Sequence, residues 1–268
     1  MTPTFTFVTA LYEIEREIHD KRSFKQYQEW FSRTLTIPVP MVIYTEEKNR
    51  NIIEQVRQNL PTKVFYTRLE DVPFYYTVDS VRHIITNTEF KRKILHPHAL
   101  ENNCFEYIPI IHSKFKWMSN AIQQNYFQTE LFFWIDAGLS RFMNFDISIP
   151  KFNTELIKNI YTNNQIYMQI GKKAELQDIL SNPEKIDDYI GQTVNFIMAG
   201  FWGGPKDILC DICNKCADNY INEFIQKERI DNEQTLFVFV LPKYKEKIIF
   251  IENVRCEYVN YYIFCNQS

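Results

Sequence analysis

A short apolar segment that ends in a carboxylate is the feature of this sequence that most restricts its fold. Residues 132–135 are four consecutive large apolar residues, and Asp136, Ala137 and Gly138 follow them directly. A short apolar run of this kind predicts a strand that is buried on both faces, as in a parallel sheet covered by helices. Ligands of open α/β sheets bind beyond the carboxyl ends of the strands. We therefore expect Asp136 to face a crevice where its carboxylate meets a cation or a hydroxyl group; the alternative is that it caps a helix that begins near Leu139.

Strands and helices alternate along much of the chain, which predicts a parallel, Rossmann-like sheet. Apolar and β-branched runs predict strands at residues 4–10, 41–45, 63–67, 165–170, 193–199, 248–251 and 258–264. Apolar residues at helical spacing predict helices at residues 23–35, 51–60, 112–125 and 206–229. The basic run 91–93, with His96 and His98, is predicted to be a solvated face or loop.

Length and composition favour one α/β domain over residues 1–268, because 268 residues that are 45% hydrophobic can form one substantial core. A net charge of -3 argues against a nucleic-acid partner. The N-terminus lacks the features of a secretion signal, and no apolar run reaches the ~18 residues that suggest a transmembrane segment. We therefore expect a cytoplasmic protein whose six cysteines are reduced.

Residues 200–205 are predicted to form a shaped loop between a strand and a helix, because Gly203 and Gly204 permit close backbone approach. Trp202 is then either a platform for a sugar ring or a buried side chain. Further along, Asp231 or Asn232 is predicted to cap a helix. Glu233 and Gln234 would hold a sugar hydroxyl or supply a base; the alternative is that they are ordinary residues of a first helical turn.

Cys210, Cys213 and Cys216 have the spacing C-x2-C-x2-C, which raises the possibility of zinc or an iron–sulfur cluster. The run lies inside a predicted helix, where positions i, i+3 and i+6 do not converge on one metal. Cys256 and Cys265 are the distant candidates for a fourth ligand. Buried free thiols are the favoured interpretation.

Several catalytic classes lack their motifs in this chain. We find no G-x-S-x-G, P-loop or G-x-G-x-x-G sequence, and none of the five histidines lies after His112. These absences argue against α/β-hydrolases, P-loop kinases and classical dehydrogenases.

Residues 132–142 resemble the HtrL/YibB (WlaTC-like) family of predicted bacterial glycosyltransferases. Residues 6–12, 43–45, 112–114, 200–204 and 231–234 are similar to that family in the same order. The resemblance implies a GT-A-like fold, with a mostly parallel central sheet flanked by helices and a mixed C-terminal portion. It also implies that a nucleotide-diphospho-sugar lies across the N-terminal strand ends.

The resemblance assigns roles to particular residues. Thr9, Ala10 and Tyr12 in the first loop would contact the nucleotide, with Thr45 beside them, and Lys114 would face the diphosphate. Asp136 would take the first acidic position of a D-x-D element that holds Mn²⁺ (or Mg²⁺). Gly138 stands where the second acid is usual.

The remaining assignments concern the sugar and the acceptor. Gly203 and Gly204 would line the sugar or acceptor side, and Glu233 and Gln234 would approach the sugar. An inverting transfer needs a general base, for which Glu233 and Asp207 are the candidates.

The resemblance thus implies a metal-assisted, hexosyltransferase-like enzyme that moves a sugar from a UDP-linked donor to a glycan or other hydroxyl acceptor. The first alternative is a non-catalytic carbohydrate- or nucleotide-binding protein on a degenerate transferase fold. The second is an interaction scaffold that presents aromatic side chains to a protein partner.

Overall fold

One seven-stranded sheet organises the structure, a computed structural model that describes residues 4–252 and 259–266. Its strands are β1 (Phe5–Leu11), β2 (Met41–Thr45), β3 (Thr62–Tyr66), β4 (Leu131–Ile135), β5 (Ile166–Ile170), β6 (Ile197–Pro205) and β7 (Ile248–Ile251). The order across the sheet is β3-β2-β1-β4-β6-β5-β7. Strands β3, β2, β1 and β4 are parallel to one another, β6 is antiparallel to both of its neighbours, and β7 is parallel to β5. The predicted mostly parallel sheet with a mixed C-terminal portion is confirmed.

Helices cover the sheet. In chain order they are α1 (Arg16–Asp20), α2 (Phe24–Leu35), α3 (Arg50–Arg57), α4 (Val78–Thr86), α5 (Thr88–Lys91), α6 (Tyr107–Gln124), α7 (Thr154–Thr162), α8 (Lys173–Ser181), α9 (Lys206–Asn219), α10 (Glu233–Val240) and α11 (Val259–Phe264). A π-helical turn at Tyr220–Ile225 continues α9. Within residues 4–252 and 259–266, no helix is both long enough and apolar enough to cross a membrane.

The sheet separates two apolar layers, and β4 contributes to both. Phe132 and Trp134 pack into one layer, whereas Leu131, Phe133 and Ile135 pack into the other. All five side chains are buried, so the prediction of a strand covered on both faces is confirmed. The strand ends at Ile135, which leaves Asp136 at the carboxyl edge of the sheet beside the end of β1.

Strand β6 corrects the prediction of a loop at residues 200–205. The strand begins at Ile197 and continues through Pro205, pairing Trp134 with Trp202 and Phe133 with Gly203. Trp202 is fully buried and donates from Nε1 to the Ala199 carbonyl oxygen at 3.1 Å, so it offers no platform to a ligand. The glycines are required by packing, because a Cβ at Gly203 would lie 2.1 Å from the Phe132 carbonyl oxygen.

The predicted strand at residues 258–264 is also wrong from residue 259 onward, and Tyr258 lies outside the described residues. Tyr261, Phe264 and Cys265 are buried and stand at spacing i, i+3 and i+4, which is the spacing of one helix face. These side chains pack into the apolar layer that contains Phe133, which therefore favours helix α11. The basic run at residues 91–93, with His96 and His98, is exposed as predicted.

We predict that Gly203→Ala lowers the free energy of unfolding by about 3 kcal/mol, because the new methyl group meets backbone atoms that cannot move independently. Gly138→Ala is the matched control. Its Cβ would meet the flexible end of Arg141 at 2.9 Å, so its cost should be less than half as large. Urea unfolding of both variants measures the difference, and equal costs would contradict the packing argument.

Candidate active site

A cavity of about 410 Å³ opens at the carboxyl ends of β1 and β4; we call it the first cavity. The antiparallel strand β6 begins at the same edge, so Ala199 and Gly200 also line it. Helix α6 forms one wall, and the N-terminus of α10 closes the floor. This is the position at which open α/β sheets bind ligands.

Three charged side chains meet in this cavity: Lys114 on α6, Asp136 after β4 and Glu233 at the start of α10. We call them the Lys114 cluster. Lys114 Nζ lies 2.7 Å from Glu233 Oε1 and 3.1 Å from Asp136 Oδ1. Burial lowers the pKa of the Lys114 ammonium, but the two carboxylates outweigh burial and leave that pKa above its ordinary value. The lysine therefore remains a cation at neutral pH.

The Asp136 carboxylate is held at one oxygen and open at the other. Its Oδ1 accepts hydrogen bonds from Trp134 Nε1 at 2.7 Å and from Lys114, whereas within the described part of the chain Oδ2 has no hydrogen-bond partner. The side chain keeps 34% of its surface exposed, against 9% for Lys114 and 8% for Glu233. The alternative role as a helix cap is not seen, because the short helical turn Leu139–Phe142 has no side-chain cap.

Asn232, one of the two predicted caps, positions Glu233. The Asn232 side chain accepts hydrogen bonds from the backbone nitrogens of Gln234 and Thr235. Asp231 instead lies beneath the helix start, where its carboxylate accepts from the backbone nitrogens of Gly191 at 2.8 Å and Asn232 at 2.7 Å. Burial raises the pKa of Asp231 to about 7.

Aromatic side chains and one arginine form the rest of the wall. Tyr12 stacks on Trp117 with ring centroids 5.5 Å apart. Arg16 on α1 places its guanidinium 5.1 Å from the Tyr27 ring centroid and 5.2 Å from that of Tyr107. Because α1 has no buried residues, these contacts help to hold it over the cavity.

The structure brings seven of the predicted site residues to the first cavity and leaves five elsewhere. Those that line it are Ala10, Tyr12, Lys114, Asp136, Gly138, Glu233 and Gln234. The others are Thr9, Thr45, Gly203, Gly204 and Asp207.

Each of these five has a structural reason for its position. Thr9 belongs to β1 and not to a loop, as does the cavity-lining Ala10, and Thr9 is fully buried. Thr45 is also buried and donates from Oγ1 to the Leu11 carbonyl oxygen at 2.6 Å. Gly203 and Gly204 lie inside β6, away from the cavity edge. Asp207 is exposed at the start of α9, beyond the end of β6 that pairs with Leu131, which is the opposite edge of the sheet from Asp136.

Sequence reasoning missed Glu101, Tyr107 and Arg16. Its spacing could have identified Tyr107, because it stands seven residues before Lys114 on α6 and therefore on the same helix face. Glu101 lies in a short helical turn with no periodic pattern, and burial raises the pKa of its carboxyl. Within the described residues it forms no salt bridge.

The cysteine run forms part of the core. Cys213 and Cys216 are buried, Cys210 is half-buried, and Cys216 Sγ donates to the Leu236 carbonyl oxygen. Burial raises the pKa of both buried thiols well above the ordinary value. Cys265 is buried as a free thiol, and Cys256 lies outside the described residues.

The fold and this site define an α/β protein with a charged pocket at the carboxyl edge of its sheet. The family model HtrL_YibB, described as "Bacterial protein of unknown function (HtrL_YibB)", matches residues 3–262, and the chain belongs to that family. None of the curated proteins matches the chain. Among solved structures, the apo form of mouse xyloside xylosyltransferase 1 is similar to it, with 11% sequence identity, a TM-score of 0.44, and coverage of 92% of this chain and 85% of that one.

The raised pKa of Asp231 predicts a pH dependence of stability. A carboxyl whose pKa is about 7 when folded and about 3.9 when unfolded binds its proton more tightly in the folded state. The stabilisation that this carboxyl gives the folded state is fully present below about pH 4 and is lost as the pH rises through 7. Urea unfolding between pH 4 and 8 should therefore show a steeper decline for the wild type than for Asp231→Asn. The exposed Asp188→Asn is the control and should follow the wild type; identical slopes for all three proteins would contradict the prediction.

Proposed function

We propose that this protein is a glycosyltransferase that moves a sugar from a nucleotide-diphospho-sugar, UDP-linked, to a glycan or other hydroxyl acceptor. The observation that carries the proposal is the Lys114 cluster, a buried cation and two carboxylates that open into a cavity at the ligand-binding edge of the sheet. The sequence resemblance described above supports the choice of reaction.

Lys114 suits the diphosphate of such a donor. An ammonium has three N–H donors, of which two are taken by Asp136 and Glu233, so one remains for a phosphate oxygen. When the bond between the sugar and the diphosphate breaks, its electron pair stays with the diphosphate, which gains negative charge. A cation that is already fixed in a buried site stabilises this charge without reorganisation.

Asp136 suits the sugar. Its Oδ1 is fixed by Trp134 and Lys114, and its exposed Oδ2 can accept a hydrogen bond from a sugar hydroxyl. Trp134 belongs to the packed core of β4, so the orientation of the carboxylate is set by the sheet. The orienting hydrogen bond thus comes from a rigid element, which is the arrangement that holds a reacting group in place.

The residues of the cavity do not fit a resident divalent ion. Asp136 has Gly138 two positions on, and one of its oxygens already accepts from an ammonium. Across residues 4–252 and 259–266, no three His, Cys, Asp or Glu side chains come together as a metal-binding group. The steps above therefore involve only this chain's own residues, and dependence on Mn²⁺ or Mg²⁺ stays a prediction from the resemblance.

Glu101 is the general base that we propose for an inverting transfer. Glu233 is committed to Lys114, and Asp207 lies at the opposite edge of the sheet. Glu101 lines the same cavity without a salt bridge among the described residues, and burial raises the pKa of its carboxyl. A raised pKa makes a carboxylate a stronger base.

The non-catalytic alternative is motivated by Gly138, because a single acid binds a cation–nucleotide pair less firmly than two. A protein of that kind would be stabilised by bound nucleotide, but it would not release nucleotide from a nucleotide-linked sugar.

Asp136→Asn should lower donor turnover by about 10²-fold or more, because an amide removes the negative charge from a preorganised site. The melting temperature should stay within a few degrees of wild type, since the amide oxygen still accepts from Trp134. The measurement is nucleotide release from UDP-, GDP- and CDP-linked sugars, with Mn²⁺ or with EDTA.

Asp207→Asn is the matched control, the same chemical change at an exposed position remote from the cavity, and should keep full activity. Retained turnover in Asp136→Asn would contradict the assignment. Nucleotide binding by the wild type without release would favour the non-catalytic alternative.

Glu101→Gln should reduce the rate of turnover by about 10²- to 10⁴-fold and abolish its rise with pH on the acid side, because the proton acceptor is lost. Glu106→Gln, five residues on and not part of the cavity lining, is the control. An unchanged pH–rate profile in Glu101→Gln would exclude the base role and leave the transferase proposal intact.

A further inference from the structure

A second cavity, of about 440 Å³, lies on the sheet face that α6 and α9 cover, beside β2 and β3. It is as large as the first cavity, and its volume is within the ~300–1,000 Å³ usual for ligand pockets. The two cavities share Trp117 as a wall. Beside that wall, the hydroxyl groups of Tyr12 and Thr67 are joined by a 2.6 Å hydrogen bond.

Neutral hydrogen-bonding groups line the second cavity and keep unused capacity. The Ser119 hydroxyl is buried and has no hydrogen-bond partner in the described part of the chain. Among the described residues, Asn120 uses only its amide nitrogen, which donates to the Tyr44 hydroxyl at 2.9 Å. In the same part of the chain, Asn214 uses only its nitrogen, toward Cys210 Sγ, and the side chain of Gln123 has no partner.

Charge and apolar surface distinguish this cavity from the first. Its acidic residue, Asp71, is bound through both carboxylate oxygens by Arg68 at 3.0 and 3.2 Å. Lys116 is its basic residue, so the lining carries a single positive charge beyond the Asp71–Arg68 pair, which is too little to select a polyanion. Phe65 and Pro73 supply apolar surface to the lining.

We propose that the second cavity binds a neutral oligosaccharide. Sugar hydroxyl groups both donate and accept hydrogen bonds, which is what amide and hydroxyl side chains do, and the C–H faces of a sugar ring fit apolar surface. This site goes beyond the proposed transfer reaction, because its residues and its ligand require neither the sugar donor nor Asp136. A protein of this family would then hold a glycan next to, and separately from, its first cavity.

Saturation-transfer NMR on the full chain tests the proposal, with lactose, cellobiose and maltotriose as neutral probes and UMP as the nucleotide comparison. The wild type should transfer saturation to at least one of the three sugars. In the double variant Gln123→Ala/Asn214→Ala, the intensity of that signal should fall at least five-fold. Gln124→Ala, a neighbouring exposed residue of α6 outside the cavity, should retain it.

Two further observations keep the outcome interpretable. Gln123→Ala alone alters an exposed side chain, so its partial loss of signal would exclude misfolding as the cause. The double variant, whose residues do not line the first cavity, should keep the wild-type response to UMP, which separates this site from the transferase proposal. The proposal is overturned if no sugar receives saturation, if the double variant binds like the wild type, or if only UMP responds.

Discussion

The need to pair a buried ammonium holds the candidate site together. Lys114 comes from α6, Asp136 from the end of β4 and Glu233 from the start of α10, and the ammonium contacts both carboxylates. Removing Lys114 would leave the buried Glu233 carboxylate without compensation, at a cost of about 3–5 kcal/mol, whereas Asp136→Asn leaves the ammonium paired with Glu233. Each of these elements is therefore fixed relative to the others by electrostatics as well as by packing.

The position of the cluster follows from the alternation along β4. Phe132 and Trp134 lie on one face of the sheet and Phe133 on the other, so the strand is locked in register by two apolar layers. Trp134 also reaches forward to orient Asp136. Trp117 is likewise held in place, because it is stacked against Tyr12 and Tyr44. Its fixed ring can therefore form a wall of both cavities.

Much of the fold and part of the site were predictable from local pattern. Periodicity and capping chemistry predicted the strand before Asp136, the parallel arrangement of the first strands and the capped start of α10. Gly203 and Gly204 led to the wrong prediction of a loop, because a glycine required by close strand packing has the same sequence signature as one required by a turn. Residues 259–264 were wrongly predicted to be a strand, because a short apolar run is equally typical of a strand and of a buried helix. Glu101 could not be predicted, since its place in the cavity depends on tertiary contacts of an aperiodic segment.

The most direct measurement of the central claim is a crystal structure with UDP bound. Our account predicts that the diphosphate lies in the first cavity, with a phosphate oxygen about 3 Å from Lys114 Nζ. UDP at any other surface, with the Lys114 cluster still facing an empty cavity, would contradict it.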